Sequence, residues 1–291
     1  MEFTILDLEW NCAFYAPQKK YFNEIIQFGA VRLNDRFETL GRLDLFVRPQ
    51  VAKKLTSLVE NLTNITADDL KNGIPFLEAL EQFRRFSEGS VLMTWATGDI
   101  RVLAENYTFF TGENYPLGGR YADLQAFCQM RLEQPEAQQI GLSTAAELLG
   151  INTEEKQLHH AIDDSVLSAR CFEKLYDEEL FRPYIKACDK KFFDRLMFKN
   201  TVLVDLNHPL IDQKRMVFLC PDCGLKMQRE KEWEVFNKQF FSEFICPQCK
   251  KKYRGRYQFK LKYDGLQTKK GLLPYRPKKM PAPAEQEKVT L

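Results

Sequence analysis

Four acidic residues and one histidine, spread over the first two-thirds of a 291-residue chain, are of the types that hold divalent cations and move protons. Asp7 and Glu9 lie in Phe3-Thr4-Ile5-Leu6-Asp7-Leu8-Glu9-Trp10, Asp99 in Thr94-Trp95-Ala96-Thr97-Gly98-Asp99-Ile100, and His159 and Asp164 in His159-His160-Ala161-Ile162-Asp163-Asp164. Side chains alternate along a strand, so in the apolar N-terminal run Phe3, Ile5, Asp7 and Glu9 face one way and Thr4, Leu6, Leu8 and Trp10 the other. Both carboxylates then emerge side by side at the C-terminal end of the strand. Ionised neighbours of that kind repel in apolar surroundings, and one takes up a proton unless a cation compensates. A divalent metal ion is the natural compensation, against the ordinary alternative of an acidic pair at a solvated strand end.

The third segment outweighs that alternative. Ile162, Val166, Ala169, Phe172 and Leu175 recur at spacings of three and four, which predicts an amphipathic helix over 161–178. Asp164 falls in its first turn, and His159 stands five residues earlier, outside the helix, where a ring reaches the same cluster from a separate piece of backbone. Imidazole titrates near neutral pH without help and so suits proton removal. A lone histidine before a helix is more often solvated or a cap, but two of the three histidines of this chain are adjacent here. His160 is given no role.

Together the three segments resemble the motifs of the DEDDh family of 3′-to-5′ exonucleases, the His-x-Ala-x-x-Asp spacing marking its histidine branch. Within the family the likeness is to the branch of histone-mRNA and small-RNA exonucleases and their bacterial relatives. It is carried by Glu24-Ile25-Ile26-Gln27-Phe28-Gly29-Ala30-Val31, Leu62-Thr63-Asn64-Ile65-Thr66 and Thr94-Trp95, and it covers roughly residues 1–180. The resemblance implies a ribonuclease H-like fold in which Asp7, Glu9, Asp99 and Asp164 hold two Mg²⁺ or Mn²⁺ ions. It further implies that His159 deprotonates the attacking water, and that nucleoside monophosphates leave a single-stranded 3′ end. Thr97-Gly98-Asp99 departs from the Asn-x-x-Phe-Asp form of the family, and a helix-capping aspartate is the alternative there. RNA is preferred because the nearest branch handles RNA. A DNA exonuclease and a non-catalytic nucleic-acid-binding adaptor are the other readings.

Eight cysteines are of two kinds. Cys12, Cys128, Cys171 and Cys188 are solitary and read as small apolar residues in or near a core. Cys220-Pro221-Asp222-Cys223 and Cys246-Pro247-Gln248-Cys249, with 22 residues between them and Gly224 just after the first, have the spacing of a zinc ribbon. A tetrahedral site of four cysteine thiolates is closed, so one structural Zn²⁺ would hold the module together and take no part in catalysis. Disulfides or a redox dithiol are the alternatives, and both suit a chain read as cytoplasmic poorly.

The formal net charge of +2 hides a division. Residues 186–291 hold 24 Lys and Arg against 12 Asp and Glu, whereas residues 1–185 hold 18 against 28. An anionic polymer would be gripped by the basic half. There, Tyr253, Tyr257, Phe259, Leu261 and Tyr263 alternate with Lys252, Arg254, Arg256, Gln258, Lys260 and Lys262, which predicts a strand with an aromatic face and a cationic one. The aromatic face either closes a small core or offers tyrosines for base stacking. Lys252, Arg254, Arg256, Lys260 and Lys262, with Trp10 beside the acidic pair, are candidate contacts to single-stranded nucleic acid; a protein partner docking on the ribbon is the alternative.

Positioning these groups takes strands predicted at 3–8, 25–33, 42–47 and 91–93, followed by helices at 76–86, 99–107, 124–131, 144–149 and 161–178. Strands first and helices later suggest an α/β mixed sheet flanked by helices. The expected organisation is a catalytic domain over 1–182, a helical and turn-rich linker over 183–215, a four-cysteine zinc ribbon over 216–265, and a basic, Pro-rich, disordered tail over 266–291. No run approaches the roughly 20 apolar residues of a membrane span, and no membrane partner or secretory leader is expected.

Overall fold

The computed structural model describes residues 1–52, 54–135, 138–152 and 160–275, so His159 and the residues after Tyr275 lie outside the described residues. The chain divides into two compact units, Met1–Met197 and Phe198–Leu291.

In the first unit β1 (Phe3–Tyr15), β2 (Lys20–Leu33) and β3 (Thr39–Phe46) form an antiparallel meander. Then come α1 (Ser57–Thr63), α2 (Ala67–Lys71), α3 (Phe76–Ser87), β4 (Val91–Thr94), α4 (Gly98–Thr111), β5 (Arg120–Asp123), α5 (Leu124–Arg131) and α6 (Leu142–Leu148). The unit closes with α7 (Ala161–Leu175), α8 (Glu178–Phe181), β6 (Lys186–Ala187) and α9 (Lys190–Met197). The mixed sheet has the order β3-β2-β1-β4-β5-β6, with β1, β4 and β5 parallel. Period-two alternation in β1 and β2 gives the sheet two apolar faces, and each is covered by helices. Leu6, Leu8 and Phe28 pack with Phe83 of α3, Leu103 of α4 and Phe193 of α9. On the other face Phe3 and Ile5 pack with Phe127 of α5, Phe172 of α7 and Phe181 of α8. Each ring so buried contributes roughly 1.5–3 kcal/mol relative to exposure.

The first strand runs to Tyr15 rather than stopping at Leu8, because a β-bulge lets the hairpin continue past the apolar run. Glu9 pairs with Gln27 and Trp10 with Ile25, leaving Ile26 as the extra residue of β2. Buried Asn106 of α4 satisfies the backbone around this break: its Oδ1 accepts from Ile25 N (3.1 Å) and its Nδ2 donates to Asn23 O (2.8 Å). The predicted helix 161–178 ends at Leu175, since Asp177 accepts from Leu180 N (3.0 Å) and starts α8 instead.

Residues 183–215, expected as a linker, divide between the units. β6 pairs with β5, and Phe193 of α9 is buried in the first core. The second unit begins with β7 (Thr201–Leu203), followed by β8 (Gln228–Arg229), β9 (Glu234–Phe236), β10 (Gln239–Ile245), β11 (Lys252–Lys262) and β12 (Gly265–Pro274). Residues 266–274, expected as tail, therefore form a strand paired along β11. Tyr263-Asp264 makes the two-residue turn, Lys262 pairing with Gly265, which takes φ +122° at the start of β12. Cys220, Cys246, Phe218, Phe240, Phe244, Tyr257 and Phe259 form this unit's small core. Among the described residues, no helix is long and apolar enough to cross a membrane.

Candidate active site

β4 ends at Thr94, beside the point where its parallel neighbour β1 carries Asp7, and the C-terminal ends of parallel strands are where ligand-binding side chains collect in an open α/β sheet. Asp7 and Glu9 continue the Phe3–Ile5 face of β1, which α7 covers, and Asp164 comes from the first turn of α7. One carboxylate oxygen from each of Asp7, Glu9 and Asp164 lies within 4.8 Å of the others. Asp99, in the first turn of α4, is 6% exposed and its Oδ1 accepts from Leu8 N (3.0 Å), tying α4 to the stretch of β1 between the two acids. It borders the three-carboxylate group without belonging to it. Ala96, at φ +65°, makes the turn that brings α4 round after β4, a conformation that costs about 1–2 kcal/mol for a residue with a Cβ. The Tyr121 hydroxyl supports that turn by donating to Ala96 O (3.1 Å).

The seam between β2 and α7 sets where Asp164 sits. Gly29 is the cross-strand partner of Asp7, and a Cβ built there would stand 2.1 Å from Ala161 C and 2.2 Å from Ile162 N. Bare backbone thus lets α7 lie directly on β2. Ser165 Oγ donates to Gly29 O (2.7 Å) and Ala161 N to Gln27 Oε1 (3.3 Å), while Gln27 Nε2 donates to Asp44 Oδ1 (2.7 Å). His160 is the N-cap residue of α7; its ring lies 3.2 Å from Gln27 Nε2 and edge-on to Phe46. Sequence reasoning gave no role to Gln27, Gly29 or Ser165. The one available signal was a glycine within an apolar strand, which marks close backbone approach.

Crowding makes this a site that asks for positive charge. Burial pushes the Asp7 carboxyl well above its ordinary range, with Asp99, Asp164 and Glu9 adding repulsion. Burial, then Asp164 and Asp99, raises Glu9 to about 8, and burial raises Asp99 to about 7. Among the described residues no Lys, Arg or His forms an ion pair with Asp7, Glu9 or Asp99. Carboxylates of the unfolded chain titrate near 4. Between about pH 4 and 8 the metal-free fold therefore holds more protons than the unfolded chain, and its stability falls as pH rises. Calorimetry of chelator-treated protein is expected to show a lower melting temperature at pH 8 than at pH 5.5. A transition that stays level or climbs across that window contradicts the assignment.

In the second unit the four cysteine sulfurs lie within 4.8 Å of one another, Cys223 and Cys246 being 3.5 Å apart. Each knuckle turns through a left-handed residue, Gly224 (φ +73°) donating to Cys220 O (2.9 Å) and Lys250 (φ +58°) to Cys246 O (3.0 Å). Backbone N–H groups of Cys249 and Gln248 lower the Cys246 thiol to about 7, while hydrogen bonding to the neighbouring sulfurs pushes Cys249 up to about 12, so without a cation the crowded thiols do not all ionise together.

Of the candidate nucleic-acid contacts, Trp10 packs with the Leu6 and Leu8 face of β1, on the side opposite the acidic pair. Lys252 is held by Glu230 (2.8 Å). Arg254 lies over the Phe241 ring (4.5 Å), and Arg254, Arg256 and Lys262 are exposed with Lys260 half-exposed. The tyrosines do not offer a stacking surface: Tyr257 and Phe259 are in the core, and the Tyr253 hydroxyl donates to Asp222 (2.8 Å). A sheet this small needs those rings to close its interior.

The sequence model of the exonuclease family (RNase T) matches residues 1–172. A PolC-type DNA polymerase III from Lactococcus lactis subsp. lactis (strain IL1403) is 32% identical over 87 residues, 30% of this chain and 5% of that protein, so the chain spans about one-twentieth of that relative. Among solved structures, the nuclease domain of 3′hExo, a DEDDh family member bound to rAMP, is similar at a TM-score of 0.52 and 22% identity, covering 60% of this chain and 90% of that one. A 3′-exonuclease that recognises the histone mRNA stem-loop is similar at a TM-score of 0.53 and 19% identity, covering 65% and 71%. The shared architecture is the ribonuclease H-like fold.

Proposed function

We propose that this chain, which belongs to the exonuclease family, is a DEDDh enzyme that removes nucleoside monophosphates from single-stranded 3′ ends by metal-dependent hydrolysis, with RNA preferred. The observation that carries this reading is the convergence of Asp7, Glu9 and Asp164 within 4.8 Å beside buried Asp99. Hard oxygen donors of this kind suit Mg²⁺ or Mn²⁺. Asp7, Glu9, Asp99 and Asp164 would hold two such ions, which when bound supply activation of a water and neutralisation of the leaving 3′-oxygen. Leu8 N fixes one oxygen of Asp99, and Gly29, Ser165 and Gln27 fix α7 and with it Asp164. His159 is proposed as general base on its place in the sequence, just before α7. The four cysteines of the second unit would hold one structural Zn²⁺. All eight cysteines of the chain are free of disulfides, which accords with a cytoplasmic protein.

RNA stands ahead of DNA because a histone-mRNA exonuclease shares the fold; DNA is the second reading, favoured by the PolC-type match. Digestion of matched 3′-labelled and 5′-labelled single-stranded RNA and DNA in Mg²⁺, Mn²⁺ or EDTA separates them. Expected is metal-dependent release of mononucleotides from the 3′ label, faster on RNA. A faster rate on DNA selects the second reading, and no cleavage in either metal leaves a binding protein on the same fold.

A further inference from the structure

The cationic side of the second unit is more than a row of solvated charges. β10, β11 and β12 form a groove of about 350 Å³ lined by Gln239, Arg256, Gln258, Lys269 and Lys270, with no acidic residue in its lining. Its register is fixed by strand pairing: Arg256 stands opposite Phe241 on one side and Gly271 on the other, and Gln258 opposite Lys269. The Arg256 side chain lies across bare Gly271, where an added Cβ would meet its Nε at 2.8 Å. Arg254 is laid over Phe241 two residues away. Both arginines are thus supported on apolar or backbone surface with exposed heads.

Two carboxylates near the groove are engaged, and exposed Glu234 on β9, opposite Phe241, lies outside its lining. Glu243, opposite Arg254, is held by Lys231 (2.6 Å), and Glu230 by Lys252. Lys252, one of the five cations expected to bind, is consequently spent on an internal ion pair. Lys269 and Lys270, from a strand that the sequence reading placed in a disordered tail, take its place.

We propose that this groove is a second nucleic-acid site, one that grips the phosphodiester backbone of a single strand and does not read bases. Alternate residues of a strand recur roughly every 6.8 Å, which suits successive phosphates of an extended chain, and the two glutamines add neutral donors to the same anion. Tyr253 and Tyr257 pack on the core, leaving exposed Phe236, opposite Gln239, as a ring beside the groove; stacking of that kind is sequence-tolerant, so binding is indifferent to sequence. The inference rests on the substrate being a nucleic acid, but not on the chemistry at the carboxylates.

The test uses the full chain in EDTA, where turnover is off, with a fluorescent 20-nucleotide single strand titrated at several salt concentrations. Arg256→Gln combined with Lys269→Gln is expected to weaken binding about tenfold and to flatten the log–log salt slope by about 1.4, equally for strands of different sequence. Lys252→Gln is expected to change the slope far less. Bound zinc and the thermal melt of each variant are measured alongside, and hydrolysis of a dinucleotide, whose single phosphodiester is taken up at the carboxylates, is expected to be unchanged. An unaltered salt slope in the double variant overturns the inference and leaves the face to a protein partner. The expected binding changes together with a dead wild-type enzyme would instead sink the exonuclease reading alone.

Discussion

Replacing Asp7 by Asn is expected to lower the rate of 3′-end hydrolysis on the order of a thousandfold or more, while raising the melting temperature of the metal-free protein. The two effects have one cause. The Asp7 charge is strongly disfavoured, half-buried on β1 with Asp99, Asp164 and Glu9 around it. Asparagine keeps the shape and removes the charge, so the repulsion that opposes the apo fold diminishes. Each 1 kcal/mol regained corresponds to roughly 2–4 °C in a unit of this size. The same change should abolish most of the stabilisation that Mg²⁺ gives the wild type, because a donor has been lost. Calorimetry in EDTA and in Mg²⁺, with steady-state hydrolysis, reads all three quantities. An Asp7→Asn enzyme that still turned over near the wild-type rate, or kept the full Mg²⁺-induced shift, would remove Asp7 from the metal site.

Gly29→Ala is the second large effect, and it touches no acidic residue. The added methyl would lie 2.1 Å from the backbone of Ala161, at a point with no flexible side chain to yield. The start of α7 must therefore lift from β2 by about an ångström or more, breaking the Ser165–Gly29 hydrogen bond and carrying Asp164 away from Asp7. Overpacking of this sort costs about 1–3 kcal/mol, and a displacement of about 1 Å at a catalytic group costs about a hundredfold in rate. Gly141→Ala is the control, since a Cβ there meets nothing closer than Thr144 Oγ1 at 4.0 Å. Equal rates and equal Mg²⁺ affinity for Gly29→Ala and wild type would show that α7 is free to settle elsewhere without disturbing the site.

These cases mark what the sequence makes legible and what it does not. The alternation Phe3-Ile5-Asp7-Glu9 and the periodicity of 161–175 are local patterns, and local patterns place a side chain on a face of its own element; that Asp164 meets Asp7 and Glu9 was implied by the family resemblance and not by the patterns. Asp99 was legible as a residue in the first turn of a helix, but its tie to Leu8 N depends on which strands become parallel neighbours, and that is a property of the whole sheet. Gly29, Gln27 and Ser165 act through a seam between elements more than 130 residues apart in sequence, which no periodicity encodes. β5 and β6 were missed because short strands carry too few residues for a pattern. The alternation of β11 correctly marked a two-faced strand. Whether its tyrosines faced solvent or core turned on how much aromatic surface so small a unit must bury.

The extra residue at Ile26 has a consequence for how this enzyme can change over time. On the catalytic side of that break, the pairings Asp7–Gly29 and Glu9–Gln27 are fixed, and a slip of one residue would turn both acids to the wrong face. Beyond it, Trp10–Tyr15 and Lys20–Ile25 form a separately registered arm whose backbone is reconciled with the sheet by Asn106. Changes at the exposed tip of that arm leave the pairings of the acids in place, whereas Asn11, Phe22, Glu24 and Ile25 of the same arm are buried. The lineage can therefore explore new surfaces on the hairpin tip, where Phe14 and Tyr21 already stand exposed, while inheriting its chemistry intact.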